Sequence, residues 1–307
     1  MANFTSSDVM KLREQTGVGM MDCKKALVET NGNFEEAVKY LREKGMASAA
    51  KKASRVAAEG LVKCLLADDK KSGVIVEINC ETDFVARSDQ FIALIDNVAK
   101  HLLQSSANTV EEAMEEAYCF DTTKTLTVLF GEATATIGEK ISFRRFQRFV
   151  AEQGVVASYI HMGGKIGVMA QFDTTADAEQ VTELAANVCM QIAASKPQVI
   201  SIADVDPAQV ASEREILTVQ ARNEGKPEAV IVKMVEGRIH KYYKEVCLLE
   251  QEYVRDGALS VKKVIAETEK QVGTSITVAK FVRFEMGEGI EKRKDNFAQE
   301  IAEQLKK

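Results

Sequence analysis

At 307 residues the chain exceeds the roughly 100 to 200 residues of a typical single domain, so two or three domains are expected. Hydrophobic residues make up 46% of it, yet no stretch approaches the roughly 20 uninterrupted apolar residues of a membrane helix. A net charge of −6 and an isoelectric point near 5.4 argue against nucleic acid as a direct ligand, because that affinity rests on lysine and arginine neutralising phosphates.

The opening MANFTSSDVMKL has neither a basic segment followed by an apolar block nor an Arg-rich character, so a cytoplasmic location is expected. Cys23, Cys64, Cys80, Cys119, Cys189 and Cys247 are scattered without a C-x-x-C pair, and His101, His161 and His240 lie far apart. Neither a metal site nor a disulfide framework is suggested, and no cofactor is expected; reduced cysteines serve as small apolar fillers.

Residues 1–46 read as three short helices. Val9 and Leu12 mark the apolar face of the first, and Ala26 and Leu27 that of the second; Asn31-Gly32 stops the second, since glycine tolerates the left-handed conformation. Asn33, with Glu36 three residues on, starts a third helix whose face is Ala37, Val38 and Leu41, before Gly45. Such a unit serves equally as a protein-binding module or as a structural appendage. Residues 47–58, Ala-rich and basic, read as a linker with helical tendency.

An internal repeat follows. The run from Glu59 aligns without a gap to the run from Gln153, pairing Gly60 with Gly154, Val62 with Val156 and Gly73 with Gly167, an offset of 94 residues. A later pair, Phe146 with Phe281 and Phe149 with Phe284, repeats at an offset of 135. Each copy, 59–152 and 153–286, reads strand, strand, helix, more helix, strand. Two tandem α+β subdomains with small antiparallel sheets are therefore expected.

The difference between the offsets places about 41 extra residues in the second copy, within residues 200–250. Asp206-Pro207 signals a helix start, Gly225 to Pro227 a turn, and Ile231, Met234, Val235, Ile239, Tyr242 and Val246 the stripe of a second helix. This inserted helical hairpin either supports a dimer or partner contact or folds back on its own sheet. In the tail, 287–307, Asp295 is positioned to cap a helix with Phe297, Ile301 and Leu305 along one side.

No phosphate-binding loop, dinucleotide fingerprint or nucleophile elbow is present. The residues alone favour an interaction protein over an enzyme. Two segments go further: LREQTGVGMMDCKKAL, residues 12–27, and EINCETDFVAR, residues 77–87, closely resemble the two signature motifs of the elongation factor Ts family.

The resemblance implies a UBA-like N-terminal domain, a core of two related subdomains, a helical hairpin in the second and a C-terminal helical module. It implies a guanine-nucleotide exchange factor without covalent chemistry, whose partner is elongation factor Tu in its GDP form and as the nucleotide-free intermediate. Carried over by motif, Thr82, Asp83, Phe84 and Val85 disturb the Mg²⁺ and phosphate site of that partner, with Phe84 as an apolar wedge. Leu12, Arg13, Gly17, Val18, Gly19 and Met20 are partner-contact candidates, although Leu12 and Met20 also suit a core and the glycines a turn. A homodimer or two-to-two complex through the hairpin is an open possibility.

Two rival readings are a peptide-binding module built on the three-helix domain and an enzyme using Asp83 as a general base. The enzyme reading requires a pocket with a second convergent polar group, whereas the exchange reading requires an exposed Phe84. The repeat supplies a control: at the offset of 94, Thr82, Asp83, Phe84 and Val85 fall on Ala176, Asp177, Ala178 and Glu179. The aspartate is kept and the aromatic is not. That pattern moves Phe84 toward contact and gives Asp83 a helix-capping role.

Overall fold

A computed structural model describes residues 4–291. Helices α1 (Ser6–Thr16), α2 (Met20–Glu29) and α3 (Phe34–Lys52) open the chain. Thr5 and Asp8 form a reciprocal capping box on α1, and Gly17 ends it in the left-handed conformation, its N–H donating to the Arg13 carbonyl. The Asn33 side chain accepts from the Glu36 N–H at 3.2 Å and so starts α3. Val9, Leu12, Cys23, Ala26, Leu27, Ala37 and Leu41 bury one another between the three helices.

Helix α3 does not stop at Gly45. It continues to Lys52, so the first six residues of the expected linker are helical. The reason lies in the chain's later course through β1 (Glu59–Leu66), β2 (Ser72–Cys80), α4 (Asp83–Ala86), α5 (Asp89–Gln104), α6 (Val110–Glu115), β3 (Ala117–Tyr118), β4 (Asp121–Thr125) and α7 (Leu126–Ile137). A β-carbon on Gly45 would meet the Gly131 carbonyl oxygen of α7 at 3.3 Å. Gly45 is thus a point of close helix approach, not a stop signal.

Strand β5 (Ser142–Val150) completes a three-stranded sheet in the order β1-β2-β5. The second copy supplies β6 (Val155–His161), β7 (Ile166–Thr174) and α8 (Ala178–Ser195). The inserted hairpin is α9 (Pro207–Asn223) and α10 (Glu228–Val246), after which come β8 (Glu252–Tyr253), β9 (Asp256–Ser260), α11 (Val261–Val272) and β10 (Ile276–Glu285). The second sheet has the order β10-β7-β6, with Val155 opposite Phe172 and His161 opposite Ile166 in an antiparallel pair. The architecture is mixed helix with small antiparallel sheets, as the repeat implied.

The described residues divide into two compact units, one of 4–63, 76–146 and 285–291, the other of 64–75 and 147–284. In the second, Val155, Val168, Ala170 and Phe172 of the sheet pack with Val181, Val188 and Ile192 of α8 and Val261 and Ile265 of α11. The hairpin carries a core of its own, Leu217, Ala221, Ile231, Val235 and Ile239. Asp206 caps α9 and Pro207 occupies its first turn.

In the first unit the wholly buried Glu77 of β2 receives Arg145 Nε at 2.6 Å, Arg144 Nη1 at 2.9 Å and the Gly287 N–H at 2.8 Å. A buried carboxylate is tolerated because cations and a backbone donor replace its water. The expected Asp295 cap and the Phe297, Ile301 and Leu305 stripe lie outside the described residues. Among the described residues no helix is long and apolar enough to cross a membrane.

Candidate functional site

Strand β2 delivers its last residue, Cys80, to the buried core, and the chain then leaves the sheet through Glu81 and Thr82. Thr82 is extended and caps α4, its Oγ1 accepting from the Val85 N–H at 3.3 Å. Asp83, expected to be the cap, instead stands at the first helical position and pairs with Arg87 at 3.1 Å. Threonine already supplies the capping oxygen one residue earlier, which leaves the aspartate free to reach one turn onward. In the sister copy the cap is Asp177 itself, in a box with Gln180.

The four-residue helix is fixed at both ends. Past its C-cap, Arg87, Ser88 Oγ donates to the Val85 carbonyl at 2.7 Å and accepts from the Phe91 N–H at 3.3 Å, so the residue that caps α5 also holds the end of α4. Ala86 and Phe91 turn inward and are buried. Phe84 turns outward and is 84% exposed, the highest value for a large apolar side chain among the described residues. Burying such a side chain is ordinarily worth about 1.5 to 3 kcal/mol, so its exposure forgoes stability.

At the start of the turn, Glu139 from the segment between α7 and β5 receives three donors. They are the Thr82 hydroxyl at 2.7 Å, the Thr82 N–H at 3.0 Å and the Glu81 N–H at 3.1 Å. Glu81 returns the interaction by accepting from the Lys140 N–H at 2.6 Å and pairing with Arg55 at 3.2 Å. Beneath them Cys80 Sγ donates to the Thr82 carbonyl at 3.1 Å. Burial, with the Glu139 and Glu59 carboxylates, pushes the Cys80 thiol up to about 12, so it stays protonated and keeps donating. Glu139 was not among the residues singled out in the sequence. It lies 57 residues from Thr82, and only the folded chain brings the two together.

The other predicted residues divide by exposure. Leu12 is wholly buried in the three-helix core, and Val18 is half-buried against it. Arg13, Gly17 and Gly19 are exposed, and Met20 is exposed at the start of α2. Met21, next along, is 73% exposed. Helix phase explains the split: Leu12 and Cys23 fall on the inward faces of α1 and α2, Val18 turns toward the same core, and Gly17 and Gly19 on either side of it face water.

A family model described as "Elongation factor TS" matches residues 81–288. An elongation factor Ts of Clostridium perfringens is 55% identical over 299 residues, 97% of this chain and 98% of the relative. That of Clostridium botulinum is 54% identical over 304 residues, 99% of this chain and 100% of the relative, and that of Clostridium acetobutylicum 50% identical over 302 residues. With matches of this extent running through both motifs and the repeat, the chain belongs to the elongation factor Ts family.

Proposed function

We propose that this cytoplasmic chain binds elongation factor Tu in its GDP form and speeds GDP release, with Phe84 as an apolar wedge. The observation that carries the reading is Phe84 itself, a large aromatic left 84% exposed on a helix turn pinned at both ends. A floppy loop would lose conformational freedom on docking, whereas a pinned one presents its side chain with that cost already met by folding. Thr82, Asp83 and Val85 shape the turn, and the wedge disturbs the groups that hold Mg²⁺ beside the phosphates. Mg²⁺ offsets phosphate charge, so loosening it removes a large part of the attraction for GDP.

In this reading residues 1–46 are a UBA-like docking domain that offers Arg13, Gly17, Gly19 and Met20. Leu12 supports them from the core. Residues 59–152 and 153–286 are the two subdomains, and 287–307 the C-terminal module. No covalent chemistry is required of the chain: the cellular excess of GTP sets the direction of exchange.

The test is release of a labelled GDP from elongation factor Tu, followed by stopped flow. The wild-type chain accelerates it, and Phe84→Ala lowers the acceleration roughly thirtyfold, as expected for an interface hot spot of about 2 kcal/mol. Undiminished release with Phe84→Ala would remove the wedge.

A further inference from the structure

The sister copy shows what the Phe84 turn looks like without its function, and the comparison isolates Glu139. At the two offsets, Glu81 falls on Thr175, Thr82 on Ala176, Phe84 on Ala178 and Glu139 on Thr274. Where the first copy has a carboxylate receiving three donors, the second has one hydroxyl pair, Thr175 Oγ1 and Thr274 Oγ1 at 2.6 Å. The Ala176 N–H, counterpart of the Thr82 N–H, donates to Thr174 Oγ1 at 3.1 Å instead. The lead-in helices are framed alike in both copies, although the first copy breaks its following helix into α4 and α5 where the second runs on as α8. Thr125 and Ser260 cap the preceding helices, and Gly138 and Gly273 end them in the left-handed conformation. The carboxylate clamp and the exposed aromatic therefore occur together in one copy and are absent together from the other, which folds without either.

From this pairing we infer that Glu139 is a positioning residue for exchange: it holds the Thr82 cap so that Phe84 is presented in one orientation before elongation factor Tu is met. The inference rests on the wedge reading of Phe84 and adds a residue to it. Glu139 touches no partner in this mechanism. It acts through Thr82, whose hydroxyl donates to the carboxylate while accepting from the Val85 N–H. The hydroxyl's own proton is thereby directed toward Glu139, leaving a lone pair aimed at the helix it caps. Charged acceptors make the stronger hydrogen bonds, and three on one carboxylate leave the turn little freedom. Glu81 contributes from the other side by accepting the Lys140 N–H, so the two chain segments hold each other reciprocally.

The test uses the full chain in four forms: wild type, Glu139→Ala, Phe84→Ala and the double variant. Amide hydrogen exchange of the free chain reads the clamp without any partner. The Val85 N–H, which Glu139 does not itself touch, is expected to exchange roughly tenfold faster in Glu139→Ala, with the α5 amides unchanged. Release of labelled GDP from elongation factor Tu is expected to slow roughly fivefold in Glu139→Ala, and no further in the double variant than in Phe84→Ala alone. Glu139→Gln, which keeps one acceptor oxygen and the side-chain volume, is expected to fall between, and serves if the alanine variant does not fold.

An unchanged Val85 exchange rate would overturn the clamp. Losses that multiply in the double variant would show Glu139 acting apart from Phe84, and would overturn the positioning role. If Phe84→Ala alone releases GDP at the wild-type rate, the wedge itself fails and takes the positioning role with it. That outcome is identified by the single variant.

Discussion

Phe84 and Leu12, both apolar, lie on opposite sides of the surface. Phe84 is 84% exposed, so Phe84→Ala should alter stability by no more than about 0.5 kcal/mol, and a thermal melt should superimpose on wild type. Leu12 is wholly buried, so Leu12→Ala should cost about 2 to 5 kcal/mol, read as loss of the three-helix domain in a melt or proteolysis assay. A release defect in Leu12→Ala is then a folding defect. Thiol chemistry offers a second residue-scale check. Cys119 is exposed, whereas Cys80 is buried with its thiol held protonated by a raised pKa of about 12. Alkylation of the native chain near pH 8 should label Cys119 and spare Cys80 until the fold is opened. Glu77 stands at the other extreme: Glu77→Ala removes the buried acceptor of the Gly287 N–H and of two part-exposed guanidiniums, and should cost about 1 to 3 kcal/mol by denaturant unfolding.

Among the elements, the long and strongly patterned ones were legible and the short ones were not. The hairpin could be placed because Asp206-Pro207 and the Ile231, Val235, Ile239 spacing each report a local physical event, a cap and a buried stripe. The paired strands β3–β4 and β8–β9 went unread, since a two-residue strand gives no periodicity. Yet the offset of 135 carries Ala117 and Thr125 onto Glu252 and Ser260, and both pairs share one register. Gly45 lies inside α3, although the 1–46 boundary places a linker just beyond it, because glycine has two uses, turning a chain and letting a neighbour approach, and one sequence does not say which. Its use here predicts that Gly45→Leu forces α3 from α7 and destabilises the chain by about 1 to 3 kcal/mol, measured by urea unfolding. At the site, Phe84 was legible through its motif, and the alanine at its sister position pointed it toward contact. Glu139 was not legible, because its meaning depends on a contact 57 residues away.

Across the whole molecule the repeat is the frame. Gly60 and Gly154 share a positive φ, and a β-carbon on either would strike the backbone of the neighbouring strand, at Ile78 and Phe172. Those two positions are themselves related by the offset of 94, so both copies solve one packing problem in one way. Against that shared frame the Phe84 turn and its clamp stand out as changes in a single copy. The thermodynamic consequence of the proposed role is strict. A chain that weakens GDP binding to elongation factor Tu must itself be bound more weakly when GDP is present, by the same factor. The most direct measurement is therefore the dissociation constant of this chain for elongation factor Tu, determined by titration calorimetry with the partner nucleotide-free and again saturated with Mg²⁺ and GDP. Affinity should be at least about tenfold weaker in the second state, a coupling of about 1.4 kcal/mol or more. Equal affinity in the two states would contradict the proposed loosening of bound GDP.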